Sequence, residues 1–283
     1  RQAAIVSRDL RRNVDAVAVV YPAWRHAGNH PGNYSTRIGP QMSDTRRMLA
    51  EMVDTLFAGM GAAGSVERDI ARLEELGLPN LLVPEAEGGF GGSWLDALTV
   101  FRLAGYQALG LDLPKLIVKR AAVADTELAM AFARACQIAG ALDAALALSI
   151  AYANERQQFG RPLGKFQAVQ QSLASFACEA AAANCAAMGA AQALDRGNAE
   201  FEVAAAKLRA NRAVEMGTSV AHQVHGAIGF TEEYALAPLT RRLWQWRSEY
   251  GNDAYWSARL GSKVIAQGAD RFWPELSART DHS

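Results

Sequence analysis

The chain has little of what several common protein classes require. Aromatic residues make up 8% of its 283 residues, and alanine supplies much of a 50% hydrophobic fraction. Lys+Arg and Asp+Glu are both 29, for a formal net charge of zero, so no basic stripe points to nucleic acid or anionic lipid. No apolar run approaches the roughly 20 residues that span a bilayer. Three cysteines, Cys136, Cys178 and Cys185, fit no zinc spacing and lie in alanine-rich helical runs. They read as buried free thiols in a reducing cytoplasm, with no metal site. The first residues carry charges but no compact apolar run, so they do not read as a secretory signal.

What is abundant favours helix. Alanine, leucine and glutamate are strong helix formers, so the expected fold is all-α. Residues 1–41, with Asn29-His30-Pro31-Gly32 and scattered arginines, show no sustained period and read as a poorly ordered extension. Residues 42–114 read as an N-terminal helical region, and 115–283 as a C-terminal helical bundle. Ser43 is placed to cap a helix whose apolar face is Met48, Leu49, Met52, Val53, Leu56 and Phe57. A second helix spans about Ser65 to Leu76 with Val66, Ile70 and Leu73 inward, stopped by Gly77. Ser93 caps a third, ending near Gly110, and Leu111–Val118 reads as a connector. Long helices are expected from about Asp125 to Asn154, Phe166 to Leu194 and Glu200 to Val224, with a last one over Ala254–Gln267.

Between the first two long helices lies Tyr152-Ala-Asn-Glu-Arg156-Gln-Gln158-Phe159-Gly160-Arg-Pro-Leu-Gly164. A guanidinium, amides and a phenyl ring in one polar turn suit a phosphate-bearing aromatic ligand. The same turn also fits a plain solvated connection between helices. Downstream, Gln223-Val-His-Gly226-Ala227-Ile-Gly229-Phe reads equally as a glycine-capped helix end with a packed or surface His225.

Three motifs in order, the Arg156 turn, the Gln223–Tyr234 stretch and Gly77-Leu-Pro-Asn-Leu-Leu-Val-Pro84-Glu-Ala-Glu-Gly88-Gly-Phe-Gly91, together resemble the acyl-CoA dehydrogenase family over roughly residues 43–268. In that family the last motif is a strand-like run with a glycine loop. The resemblance implies FAD, with Arg156, Gln158 and Phe159 at its pyrophosphate and Gln223, Gly226 and Ala227 near its adenylate, at a site shared between subunits. It further implies α,β-dehydrogenation of an acyl-CoA thioester in fatty acid metabolism. Two departures stand out. The β-rich middle domain of the family has no room between Asp112 and Ala124. The ungapped position of the catalytic glutamate falls on Tyr250, one residue after Glu249; the family's other base position falls on Met130, with Glu127 almost a turn away. A cation used near the CoA phosphates is replaced by Ala131. Glu249 is therefore the candidate base, or a solvated helix-end carboxylate. Arg241, Arg242, Trp244, Trp246 and Arg247 suit an oligomer contact. The alternative function is a non-catalytic helical subunit that completes the flavin site of a paralogous acyl-CoA dehydrogenase, as part of a homo- or hetero-oligomer.

Overall fold

The computed structural model describes residues 43–60 and 65–279; the expected extension over 1–41 lies outside them. Ten α-helices make up the described residues: α1 Asp44–Ala58, α2 Val66–Glu75, α3 Trp94–Tyr106, α4 Leu113–Arg120, α5 Thr126–Glu155, α6 Gln167–Arg196, α7 Glu200–His225, α8 Leu236–Ser248, α9 Asp253–Gln267 and α10 Ala269–Ala278. The fold is all-α. The strands among the described residues are two antiparallel pairs of residues, β1 Gln157–Gln158 and β2 Arg161–Pro162.

Helix starts are set by local chemistry. Ser43, Ser65, Asp112, Asp125 and Asn252 each accept a hydrogen bond from a backbone N–H of the first turn, which leaves one fewer orphan donor. Ser93 and Asp96 form a reciprocal capping box on α3. Asp195, at the far end of α6, also accepts from the Trp94 N–H at 2.7 Å and so ties the N-terminal region to the bundle.

The core is built round α5, whose residues from Ala129 to Leu146 are buried without interruption. By length and composition α5 is apolar enough to cross a membrane, which corrects the expectation that no run approaches that. Its most apolar window is 72% buried inside the bundle, as a core helix requires. Helices α3, α6, α7 and α8 cover it. At the α3–α5 crossing Gly105 and Gly140 interlock: a Cβ on Gly105 would collide with the Gln137 carbonyl, and one on Gly140 with the Arg102 carbonyl. Only glycine permits backbones this close. One continuous apolar cluster then runs from Ala50 to Trp256.

Several sequence expectations are corrected. Leu111–Val118 is not a plain connector: Asp112 caps α4 and Pro114 occupies its first turn, where the missing N–H costs nothing. Leu78–Asn80 form a 3-10 turn followed by further turn residues, not a strand-like run. On α1, Met48 is 70% exposed and Ala50 is buried instead, so the apolar face is rotated. Val66 is likewise exposed. Cys136 is buried, but Cys178 and Cys185 are exposed, because they lie on the side of α6 turned away from the core. Helix α10 follows α9 without having been foreseen. Residues 121–125 alone join α4 to α5, leaving no room there for a β-rich domain.

Candidate functional site

Two neighbourhoods collect the candidate residues. The first is one end of the bundle, where α5 stops, the β1–β2 hairpin turns and α7 ends. Arg156 is the C-cap of α5; its N–H donates to the Tyr152 carbonyl at 2.8 Å and its carbonyl accepts from Leu163 N–H at 2.8 Å. The backbone is thus fixed, while the exposed guanidinium has no hydrogen-bond or ion-pair partner among the described residues. Gln158 is exposed on β1, and Phe159 is 91% exposed with φ +52. A left-handed phenylalanine is strained, a condition common at ligand sites.

Gln223, Gly226 and Ala227 are exposed at the end of α7. Gly226 has φ +65 and ψ −144, a conformation essentially restricted to glycine. A Cβ there would meet nothing within 4 Å, so the backbone faces open space. The two groups are stitched together by an aromatic trio: Tyr152 of α5 packs on His225 of α7 at 4.7 Å between ring centroids, and Tyr234 packs on His225 at 5.1 Å. His225 Nδ1 lies 2.8 Å from the Ala221 carbonyl oxygen. Burial holds the His225 and His222 pKa values below the ordinary range.

The second neighbourhood surrounds the loop between α8 and α9. Tyr250 and Met130, distant in sequence, belong to one apolar cluster with Val118, Ala129, Trp94 and Val123. Tyr250 has φ +52, and burial pushes its hydroxyl pKa up. Neither residue is a carboxylate. Glu249 is engaged at both oxygens: Arg134 Nε donates to Oε2 at 2.6 Å and Gln245 Nε2 to Oε1 at 2.7 Å. Arg134 is itself 4% exposed, grips both oxygens of Asp112 at 3.0 and 2.8 Å, and donates to Gln137 at 2.6 Å. Burial opposes its charge, but Asp112 and Glu249 more than offset this and raise its pKa. Glu127 instead accepts from the Tyr255 hydroxyl at 3.3 Å, and Ala131 is fully buried.

Beneath the same loop, Lys207 is fully buried. Its Nζ lies within hydrogen-bonding distance of Asn211 Oδ1 (2.7 Å) and of the carbonyls of Trp246 (3.1 Å), Arg247 (3.1 Å) and Gly251 (3.0 Å). An ammonium at the last carbonyls of α8 also suits the negative end of that helix. Burial nonetheless pushes Lys207 down to about 7. Sequence reasoning missed Arg134, Lys207 and the Tyr152–His225–Tyr234 trio. The signal was there for two of them: each is the one charge in an alanine-rich stretch, Ala131–Ala135 and Ala204–Lys207.

Residues 122–253, which span both neighbourhoods, match the acyl-CoA dehydrogenase C-terminal domain. Over these residues the bundle is similar to that domain of the acyl-CoA dehydrogenases. Glutaryl-CoA dehydrogenase of Desulfococcus multivorans is 41% identical over 104 residues, which cover 36% of this chain and 27% of that protein. Acyl-CoA dehydrogenase FadE34 of Mycobacterium tuberculosis is 29% identical over 258 residues, covering 83% of this chain and 36% of that protein. The chain thus spans about a third or less of the length of these relatives. In fold it is similar to the ChsE4-ChsE5 complex of Mycobacterium tuberculosis, with a TM-score of 0.73 at 14% identity over 82% of this chain and 100% of that one. It is likewise similar in fold to a glutaryl-coenzyme A dehydrogenase bound to glutaryl-CoA, with a TM-score of 0.70 at 18% identity over 81% of this chain and 97% of that one.

Proposed function

We propose that this acyl-CoA dehydrogenase-type bundle works as a helical subunit that lends a flavin-binding edge to a second chain and performs no dehydrogenation by itself. The observation that carries this reading is the pairing of Tyr250 with Met130. Removing a carbon-bound proton needs a carboxylate in a water-poor site. At the two positions expected for it stand a phenol and a thioether, packed together. The neighbouring Glu249 is held at both oxygens, by the buried Arg134 guanidinium and the Gln245 amide, and so is not free to approach a substrate carbon.

The other end of the bundle fits a flavin dinucleotide. Arg156 offers an unengaged cation, Gln158 and Gln223 offer amides, Phe159 offers an aromatic face, and Gly226 and Ala227 offer open backbone. When bound, FAD supplies a hydride acceptor. This chain's residues supply grip on phosphates and adenine, while the missing middle domain leaves them uncovered. Cover from another chain excludes water and strengthens each polar contact. One structural neighbour, the ChsE4-ChsE5 complex of Mycobacterium tuberculosis, pairs two different proteins, which supports pairing of this chain with a second one.

The test is a flavin titration of the isolated chain, then of the chain mixed with a complete acyl-CoA dehydrogenase, each assayed with an acyl-CoA and a dye acceptor. Weak flavin binding and negligible turnover alone, with flavin retention in the mixture that Arg156→Ala removes, are expected. Tight stoichiometric flavin and turnover abolished by Glu249→Gln would instead establish a self-sufficient FAD-dependent dehydrogenase.

A further inference from the structure

His225 is 3% exposed and sits where the two parts of the candidate flavin edge meet. On one side its ring packs on Tyr152 of α5, whose carbonyl fixes the Arg156 backbone. On the other it packs on Tyr234, and the two tyrosine rings close the triangle at 6.4 Å. The turn that follows is pressed onto it: a Cβ on Gly229 would stand 3.0 Å from the His225 Cβ. The next residue, Gly226, ends α7 and donates its N–H to the His222 carbonyl. One imidazole thus joins the hairpin that carries Arg156 to the turn that carries Gly226.

Its two nitrogens are unequally served. The Ala221 carbonyl oxygen, 2.8 Å from Nδ1, can only accept, so the neutral ring keeps its proton there. Nε2 is buried and has no hydrogen-bond partner among the described residues. A second proton has to enter at Nε2, inside a packed joint. The titratable and charged groups on the elements against it are Tyr152, Glu155 and Arg156 at the end of α5, Glu232, Glu233 and Tyr234 before α8, and His222 one turn back on α7. The three carboxylates and the guanidinium are exposed to water. Burial, then Tyr152 and Glu155, raise the Tyr234 pKa, so that phenol brings no negative charge near neutrality. Burial lowers the His225 pKa, and the Ala221 and Leu148 carbonyls offset this only in part. His222, stacked on Phe230 at 4.1 Å, is lowered by burial and then by His225, so charges on the two rings repel.

We infer that the Tyr152–His225–Tyr234 joint is an acid-operated release for the flavin-binding edge: a proton on His225 parts the Arg156 hairpin from the Gly226 turn, and the edge loses its hold on the nucleotide. Such regulation rests on the edge proposed above. Proton linkage gives its direction. Where the joint opens, His225 meets water and regains its ordinary pKa of about 6.5. Below that value the opened form takes up the proton first, and the closed form follows only at lower pH. The joint is therefore shut above about pH 6.5 and yields as the pH falls through the window beneath it.

The test uses the full chain. Imidazole resonances, assigned through His222→Gln and His225→Phe, give the His225 titration. Hydrogen exchange, corrected for its intrinsic pH dependence, reads the opening of residues 152–166 and 223–230. Expected are a His225 midpoint below about 6.5 and faster exchange in both segments as the pH drops to about 5, with no such response in His225→Phe. FAD retained by the chain mixed with a complete acyl-CoA dehydrogenase should fall over the same window, and His225→Phe should remove that fall. A midpoint at or above about 6.5, the result if the tyrosine faces hold the cation, overturns the proposal. So does exchange indifferent to pH, or an equal acid response in His225→Phe. Should that variant not fold, the wild-type midpoint and exchange decide alone. A mixture that retains no added flavin at any pH strikes the proposed function, and the exchange data still decide whether the joint opens.

Discussion

A single buried ammonium orders the loop that carries Glu249 and Tyr250. Lys207 has four oxygens about it and no exposure to water, so removing it takes the donor from the Trp246 and Arg247 carbonyls and leaves the Gly251 carbonyl to the Asn211 amide alone. Lys207→Met should cost about 2–4 kcal/mol of stability in urea titration, since unpartnered buried acceptors retain their desolvation penalty. The same residue sets a pH dependence. In the unfolded chain Lys207 holds its proton up to about 10.5, whereas in the folded chain burial lowers this to about 7. Between those values the unfolded state binds more protons, so stability from this group rises with pH across that window. Urea midpoints of wild type between pH 7 and 10 should climb relative to those of Lys207→Met; a parallel pair of curves would refute the assignment. Arg156 and Gly226 were picked out by resemblance to family motifs, and both lie exposed at one end of the bundle. Lys207 and Arg134 were not picked out, because their partners lie 44 and 115 residues away and only packing brings them together.

Helices were the most legible level. Ser43, Ser65, Ser93 and Asp125 announce where four of them begin, and the long apolar periods give α5, α6 and α7 to within a residue or two. Helix α4 was misread as a connector, although a proline just inside a helix start is a helix signal. The facing of α1 was misread in part: Val53, Leu56 and Phe57 are buried as read, but Met48 and Met52 are exposed and Ala50 is buried. Helix pairing was illegible in advance: nothing local distinguishes Gly140 from a tolerated glycine in a helix. Its carbonyl neighbour on α3 makes the distinction. Gly140→Ala has better helix propensity by about 1 kcal/mol, yet should destabilise by about 1–3 kcal/mol because it forces α3 and α5 apart. Asp125→Ala, which removes only a cap, should cost about 1 kcal/mol. Thermal melts of the two variants would rank them.

At the scale of the molecule, ties between distant segments decide cooperativity. Asp195 holds the start of α3, and Arg134 joins Asp112 to Glu249. With one apolar cluster running through both regions, the N-terminal helices and the bundle should unfold together. A single transition with coincident circular dichroism and tryptophan fluorescence is expected; two separated transitions would show independent domains.

The burial of α5 also has a consequence in time. The ribosome releases this most apolar helix before α6, α7 and α8, the elements that cover most of it. While those segments are still being made, the uninterrupted face from Ala129 to Leu146 has few neighbours to pack against. A nascent chain stalled after Gly197 should therefore be held by chaperones or aggregate, and its release should coincide with emergence of α8. Arrest-peptide force profiles along the growing chain would locate that moment.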